Sequence, residues 1–480
     1  MPSAATSRPG ERRAPKTSAG YTHRLGATAV ALILAFGPAH TARAVTPPGV
    51  NPGALVIGAP VAPPERTQQH LVCSHPVWTG PPPTTEPLAQ QALGLTRAWE
   101  FSRGAGQLVA VIDTGVNDHP RLTVVPGGDY VSTSPGTVDC DGHGTLVAGI
   151  IAGHPAPDGG DRFSGVAPDA TILSIRQTSL AYEAKDSYAD DRRGRMSAGG
   201  YGTVTTLAYA VVHAVELHAS VINISEVSCI AATDAPADGV LGAALKYAAD
   251  HNVVVVAAAG NLESQGACKD QNGTSSWDSV KTVASPAWFS PYVLSVASVE
   301  ADGSPSSFTL YGPWVGVAAP GSNLMSLDST PGGTGLVNGT PQADGRIAPV
   351  DGTSFASAFV AGVAALVRAR FPGLTAAQVI GRIERTAHGP GRGRDDRIGA
   401  GLVDPVAALT AVLPPAGPVD TDVSRPIPAP QPPARIDPGP RRIAVDGALT
   451  CLTLLGIVLA VSIPFRREHR RRLVLPGDDE

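Results

Sequence analysis

Three short motifs carry a carboxylate, an imidazole and a hydroxyl, groups that together can perform nucleophilic catalysis. Asp113 follows the apolar run Leu108–Ile112 and precedes Thr-Gly. His143 lies between two glycines in Asp-Gly-His-Gly-Thr, and Ser354 ends the segment Asp-Gly-Thr-Ser. In such a triad the serine attacks a carbonyl, the histidine accepts its proton, and the aspartate orients the imidazole. The residue types therefore predict acyl-transfer chemistry.

Each motif taken alone has a simpler interpretation. The Asp113 motif is typical of a turn, or of half of an aspartic protease, which needs two carboxylates that share a proton. No second Asp-Ser/Thr-Gly occurs, so only a symmetric dimer would supply the other half. The His143 motif would also suit a helix start beside a surface histidine, and Ser354 could simply cap a helix. Together, the three motifs predict a hydrolase much more specifically.

The elements that must position these groups alternate between strands and helices from residue 96 to residue 412. Runs that are apolar on both faces are typical of central strands in a parallel sheet. These runs are Leu108–Ile112, Thr171–Ile175, Val221–Ile224, Val253–Ala258 and Val293–Val296, and helical patterns cover Thr203–Ala219, Leu241–Asp250 and Ser354–Phe371. The alternation predicts an α/β fold with a mainly parallel sheet covered by helices on both faces. Asp113 falls at the carboxyl end of a strand, where the functional crevice of such sheets lies.

The N-terminus is typical of an exported protein. Arg24 precedes the apolar run Leu25–Phe36, and the small-residue segment Ala-Arg-Ala ends at Ala44. This arrangement predicts a signal peptide over residues 1–44, with an uncleaved signal anchor as the alternative. Residues 45–95, rich in proline, threonine and glutamine, are predicted to form an extended arm.

The C-terminus predicts a membrane anchor. Residues 413–442 form a Pro-rich linker, with ten prolines from Pro414 to Pro440. A transmembrane helix is predicted over 443–465, because Gly447–Phe465 is apolar and uncharged; a buried core helix is the alternative. The basic tail, 466–480, would stay in the cytoplasm and leave the main domain outside.

Composition excludes other classes of function. The net charge is −5 without a basic excess, so nothing indicates nucleic acid as a partner. Four cysteines precede the predicted anchor, and an even number in an oxidising compartment favours two disulfides, for which three pairings are possible. They are Cys73, Cys140, Cys229 and Cys268. Their spacing does not suit zinc. The charged segment Gln177–Gly200 is interpreted as a long surface loop with a solvated acidic stretch, and no metal or cofactor is expected.

Residues 96–412 resemble the subtilase family. The order aspartate, histidine, serine is that of subtilisin, and further family motifs occur in order. These are Gly165–Ala170, Ala257–Asn261, Val317–Gly321 and Gly399–Asp404. The resemblance implies a three-layer, subtilisin-like α/β/α fold and a serine endopeptidase with a triad of Asp113, His143 and Ser354. It further implies that Asn261 binds the oxyanion, although an asparagine in a Gly-Asn turn is the alternative. Substrate backbone is expected beside Ser225, Glu226, Gly199 and Gly200.

The chain as a whole resembles the mycosins, the membrane-bound proteases of type VII secretion systems. In that family the arm wraps the catalytic domain and a disulfide ties it there, which implies the pair Cys73–Cys140 and leaves Cys229–Cys268. The resemblance implies a single-pass protein of the cell membrane that cleaves a protein substrate of the secretion pathway outside the cytoplasm. Alternatively, it is mainly a structural component of the membrane secretion complex, with proteolysis dispensable.

Several positions depart from the usual subtilase pattern. Ala358 lies four residues after the nucleophile, where subtilases usually carry proline. Leu146 replaces a histidine often found three residues after the catalytic one. Glu226 and Val227 replace a small residue and a glycine near the first specificity pocket. None of these changes removes a triad group. They predict an altered or narrower pocket rather than broad digestive activity.

Overall fold

A computed structural model describes most of the chain between residues 45 and 458. The described ranges are 45–81, 83–157, 159–185, 200–234, 238–264, 266–274, 277–342, 344–389, 391, 393–414 and 446–458. The predicted signal peptide and basic tail, and most of the Pro-rich linker, lie outside these ranges. The chain divides into two units, Met1–Pro414 and Pro415–Glu480.

Seven parallel strands form the main sheet of the first unit. They are β1 (Leu108–Asp113), β2 (Val124–Asp129), β3 (Thr171–Arg176), β4 (Val221–Ile224), β5 (Val254–Ala258), β6 (Leu294–Val299) and β7 (Val315–Pro320). Their order is β7-β6-β5-β4-β1-β3-β2, and every neighbouring pair is parallel. The prediction of a mainly parallel sheet is confirmed, and β2 and β7 are strands that the apolar runs had not indicated.

Helices cover both faces of this sheet. The main ones are α1 (His143–Ala152), α2 (Val204–Glu216), α3 (Gly239–Asp250), α4 (Thr353–Arg370) and α5 (Ala376–Thr386). Along β1, Val109 and Val111 belong to the core with α1, α4 and α5, whereas Ala110 and Ile112 belong to the core with α2 and α3. Because successive strand residues point to opposite faces, both faces are buried. The result is the three-layer α/β/α arrangement.

Local chemistry sets where the helices begin and end. Helix α2 begins one residue later than the sequence predicted, because Thr203 is its cap and its side chain accepts a hydrogen bond from the Thr206 N–H. The helix ends at Glu216, and His218 then adopts a left-handed φ of 62°. The predicted continuation of this helix to Ala219 is therefore wrong.

The arm lies against the α/β domain. Its strand Thr67–Gln69 pairs with Tyr182–Ala184, and the Val77 N–H donates to the Gly339 carbonyl at 2.8 Å. The disulfide Cys73–Cys140 joins arm and domain, and a second disulfide joins Cys229 to Cys268. The arm also contains the turn Pro52–Ala54 and the helix Leu88–Ala92, and the helix Leu95–Ala98 spans its expected boundary with the domain.

Smaller elements complete the described structure. Antiparallel pairs join Ser228–Ala231 to Thr282–Ser285, Ser326–Leu327 to Leu336–Val337, and Gly339–Pro341 to Ile347–Pro349, while Ala267–Lys269 and Trp277–Ser279 are 3-10 turns and Pro405–Thr410 is a short helix. In the second unit, residues 446–458 are helical. Among the described residues, no helix has both the length and the apolar character needed to cross a membrane. The span predicted over 443–465 lies only partly within them.

Candidate active site

Three neighbouring strands bring predicted site residues to one edge of the sheet. Asp113 is the last residue of β1, Ser225 directly follows β4, and Asn261 comes shortly after β5. These strands are adjacent in the order β5-β4-β1. Because parallel strands end at the same edge, a crevice forms where their side chains meet.

His143 is the first residue of α1, and the glycine that follows it lets this helix approach the end of β1. A Cβ on Gly144 would lie 2.1 Å from the Gly115 carbonyl oxygen, so no larger residue fits without moving the backbone. The Gly144 N–H donates to Thr114 Oγ1 at 2.9 Å. This close approach brings the imidazole to the carboxylate of Asp113.

Asp139, which the sequence analysis did not single out, fixes the loop that leads into α1. One of its oxygens accepts from the Thr114 hydroxyl at 2.8 Å and from the Gly142 N–H at 2.7 Å. The other accepts from the Thr145 N–H and hydroxyl, at 2.8 and 2.6 Å. Burial raises the pKa of Asp139 to about 6, against the opposing effect of these hydrogen bonds. Its position shortly before the histidine motif was the only signal in the sequence.

The structure brings Asp113, His143 and Ser354 into one hydrogen-bonded chain. Nδ1 of His143 lies 2.7 Å from Oδ1 of Asp113, and Nε2 lies 3.0 Å from Oγ of Ser354. Because a carboxylate accepts only, the Nδ1–H donates to Asp113 and leaves Nε2 to accept the serine hydroxyl proton. This is the geometry of a nucleophile beside its general base.

The surroundings of His143 favour its protonated form. Burial lowers the pKa of the imidazole, but the charge of Asp113 and its hydrogen bond outweigh this effect, and the net pKa is raised above the usual 6.5. Glu226 and Asp139 add weaker attractions in the same direction. Asp113 is completely buried, and its Oδ1 also accepts from the Thr114 N–H at 2.8 Å. An imidazolium that forms during catalysis is thereby stabilised.

The amide of Asn261 is oriented by the residue that precedes the serine. Its Oδ1 accepts from both the N–H and the hydroxyl of Thr353, each at 3.0 Å, and its Nδ2 donates to no acceptor among the residues that the structure describes. A Cβ on Gly352 would lie 2.8 Å from Ser354 Oγ and 3.5 Å from Asn261 Nδ2. The missing side chain therefore leaves the space between these atoms open for a carbonyl oxygen.

Ser354 lies in the first turn of α4, a helix of 18 residues. Free N–H groups and the positive end of the helix dipole at this position favour a developing negative charge. Together with the Asn261 amide, the Ser354 N–H can bind an oxyanion. The arrangement can perform nucleophilic acyl transfer, in which the tetrahedral intermediate is held by these two donors.

Of the residues predicted to contact substrate backbone, some lie at the site and others do not. Ser225 is buried and accepts from Asn223 Nδ2 at 2.8 Å, and Glu226 lines the cavity beside His143. Gly200 packs against the Ser179 carbonyl and does not line that cavity, and Gly199 lies outside the described residues.

Glu226 places a second carboxylate beside the imidazole. Its Oε1 lies 4.0 Å from Nδ1 of His143, and its side chain is 20% exposed. Burial raises its pKa to about 7; His143 opposes this effect, and the charges of Asp113 and Asp141 add to it. Ligand-type atoms of Asp113, His143 and Glu226 lie within 4.8 Å of one another, but the imidazole and Asp113 are already hydrogen-bonded to each other.

The cavity beside His143, of about 370 Å³, is lined partly by the arm. Leu71, Val72, Ser74 and Pro76 contribute from the arm, whereas Leu180 and Phe355 are among the residues that contribute from the domain. The disulfide Cys73–Cys140 holds this stretch of the arm three residues before the histidine. The sequence analysis did not anticipate that the arm would form a wall of the candidate site.

The chain is similar to proteins of one family across most of its length. The profile of the Subtilase family matches residues 104–401. Mycosin-4 of Mycobacterium tuberculosis (strain ATCC 25618 / H37Rv) is 48% identical over 448 residues, which cover 91% of this chain and 94% of that protein.

Solved structures give the same picture. The structure of the MycP3 protease from the type VII (ESX-3) secretion system matches with a TM-score of 0.72 and 47% identity, and covers 77% of this chain and all of that one. A chain of the intact ESX-5 inner membrane complex matches with a TM-score of 0.72 and 41% identity, over 87% of this chain and all of that one. Both similarities extend beyond the residues matched by the family profile.

Proposed function

The chain belongs to the subtilase family as a mycosin-type serine protease, and from this premise we propose that it is an endopeptidase tethered to the cytoplasmic membrane. Its catalytic domain faces the outside of the cell and hydrolyses peptide bonds in a protein substrate. The observation that carries this proposal is the hydrogen-bonded chain of Asp113, His143 and Ser354. Support for the tether comes from the apolar stretch Gly447–Phe465 and the basic residues after it.

In the proposed mechanism, Ser354 attacks the scissile carbonyl carbon while His143 takes the hydroxyl proton. Asp113 keeps Nδ1 protonated and stabilises the imidazolium. The Asn261 amide and the Ser354 N–H hold the negative oxygen of the tetrahedral intermediate. His143 then gives its proton to the leaving amine, and water attacks the acyl-enzyme with the same base. Each step uses a group whose position follows from the strand ends and helix starts described above.

We further propose that the substrate is a protein of a type VII secretion pathway and that the enzyme works within the membrane secretion complex. The similar chain in the ESX-5 inner membrane complex supports this location. A tether and a partly enclosed cleft favour a restricted set of substrates over general digestion, because only chains delivered to the membrane surface would reach the serine.

A second candidate function is structural. The arm is joined to the domain by a disulfide, by the strand pair at Thr67–Gln69 and by the contact of Val77 with Gly339. These contacts hold the arm on the domain without using any triad residue, and the surface formed in this way would suit docking onto other subunits. Under this hypothesis the protein stabilises the complex, and proteolysis is dispensable.

Replacement of the nucleophile in the source bacterium separates the two functions. Strains carrying wild-type protein, Ser354→Ala, or a deletion are compared for secreted proteins by terminal sequencing and for assembly of the membrane complex. For the protease function, Ser354→Ala should abolish one or more processed termini while the complex persists. Identical termini in the wild-type and Ser354→Ala strains would contradict it, and loss of secretion only on deletion would favour the structural function.

A further inference from the structure

We propose that Glu226 is a specificity-determining residue, which selects substrates that place a lysine or arginine side chain in the cavity beside His143. The inference deepens the proposed protease function and rests on it. Glu226 follows β4 between the strands that lead to Asp113 and Asn261, so a substrate chain lying across the strand ends must pass its carboxylate. It is the residue that replaces the expected small one at the candidate specificity pocket.

Glu226 has no firm partner of its own. In the part of the chain that the structure describes, His143 is the one basic group at ion-pair distance from it, with Oε1 to Nδ1 at 4.0 Å. Nδ1 of His143 already donates its proton to Oδ1 of Asp113, which lies 2.7 Å away, so it does not form a hydrogen bond with Glu226. Burial of four-fifths of this carboxylate removes much of its solvation, and no protein cation compensates for the loss. A cationic side chain of the substrate would compensate for it.

The charges around the cavity act in the same direction. The charges of Asp113 and Asp141 both raise the pKa of Glu226. No lysine or arginine is among the described residues that line the cavity. Asp141 is satisfied internally, because its oxygens accept from the Leu180 and Ala181 N–H groups and from the Ser179 hydroxyl. Glu226 is therefore the acidic group available to a ligand, within a field that attracts cations and repels anions.

The walls suit the stem of a long basic side chain. Leu71, Val72 and Leu180 line the cavity near the arm, and Leu146 and Phe355 line it near the imidazole. Lysine and arginine pack their methylene groups on apolar surface while their charged ends reach a polar partner. An aliphatic side chain of similar length would fill the walls but leave Glu226 unpaired, and an acidic one would be repelled.

The test measures kcat/KM for pairs of internally quenched peptides that differ by lysine or norleucine at one position. The assay uses the full-length protein in detergent, and the parent peptide is taken from a mixed peptide pool. Each position near the cleaved bond is scanned at a pH above the pKa of Glu226, about 7, and below that of a lysine side chain, about 10.4, so that both groups are charged. We expect lysine to exceed norleucine at one position by about 10- to 100-fold, the range for a hydrogen bond to a charged group.

Variants assign that preference to Glu226. In Glu226→Gln the lysine-to-norleucine ratio should fall toward one, and in Glu226→Lys a peptide with glutamate should be preferred over one with glutamine. The matched control is Glu100→Gln, which changes an exposed carboxylate outside the cavity and should keep the wild-type ratio.

Three results would overturn the inference while leaving the protease function intact. The first is Ser354-dependent hydrolysis without any preference for a basic side chain. The second is a preference that survives in Glu226→Gln. The third is an equal loss of activity on both peptides, which would indicate a purely structural role. By contrast, folded protein that cleaves no peptide in the pool and fails to react at Ser354 would refute the proposed function itself.

Discussion

Replacement of Thr353 by valine is expected to lower kcat without a comparable change in KM. The Thr353 hydroxyl donates to Asn261 Oδ1 at 3.0 Å and accepts from the Gly260 N–H at 3.2 Å. Valine keeps the branched shape of threonine but loses both bonds. The Asn261 amide then turns more freely, and its Nδ2 donor is less well aimed at the oxyanion, which exists only in the transition state.

The structure sets the size of this effect. One neutral hydrogen bond contributes about 1 kcal/mol, so we expect kcat to fall by about fivefold to tenfold. Removal of an oxyanion-hole donor in subtilisin lowers kcat by about 10²–10³-fold. The loss here should be smaller, because the Thr353 N–H still donates to Asn261 Oδ1 at 3.0 Å. The unpaired Gly260 N–H should also cost about 1–3 kcal/mol of unfolding free energy.

Steady-state kinetics on a quenched peptide give kcat and KM, and thermal unfolding gives the change in stability. Thr353→Ser, which keeps the hydroxyl, is the matched control and should retain most of the activity. In a double-mutant cycle, Thr353→Val should have little further effect once Asn261→Ala has removed the amide. If the two losses multiply instead, Thr353 does not act through Asn261 and the orientation argument is refuted.

Two further predictions concern charge and covalent structure. Glu226→Gln should shift the acid limb of the kcat/KM profile for a neutral peptide to lower pH. The enzyme acts with neutral His143, and the charge of Glu226 helps to raise the pKa of this imidazole. Removal of that charge therefore lowers the pKa. An unchanged limb, or one moved to higher pH, would contradict the assignment. Replacing both Cys73 and Cys140 by serine should cost about 4 kcal/mol of unfolding free energy, from a separation of 67 residues, and should make the arm sensitive to limited proteolysis. The control pair Cys229→Ser and Cys268→Ser, separated by 39 residues, should cost a similar amount but leave the arm protected.

The central strands of the sheet were the most predictable part of this molecule. Runs such as Val221–Ile224 are apolar at every position and therefore indicate a strand buried on both faces, as observed. The glycines on both sides of His143 are equally visible in the sequence, and a Cβ on Gly144 would lie 2.1 Å from the Gly115 carbonyl oxygen. These features depend on local composition, which a single sequence displays directly.

Contacts between distant segments could not be predicted in the same way. The orientation of Asn261 depends on Thr353, which is 92 residues away, and Asp139 accepts a hydrogen bond from the Thr114 hydroxyl, which is 25 residues away. The arm was predicted as an extended segment, yet Leu71 and Val72 line the cavity beside His143. Nothing in their local pattern indicates which surface they cover, because the strand pair and the disulfide decide it.

Covalent labelling of the nucleophile tests the central claim most directly. The folded, disulfide-bonded protein is treated with a fluorophosphonate, and the modified residue is identified by mass spectrometry of its peptides. The account predicts a single adduct on Ser354, lost in Ser354→Ala but retained in Ser357→Ala, whose hydroxyl lies one turn further along the same helix and bonds the Ser354 carbonyl. Folded protein that carries no adduct, or an adduct that survives in Ser354→Ala, would contradict it.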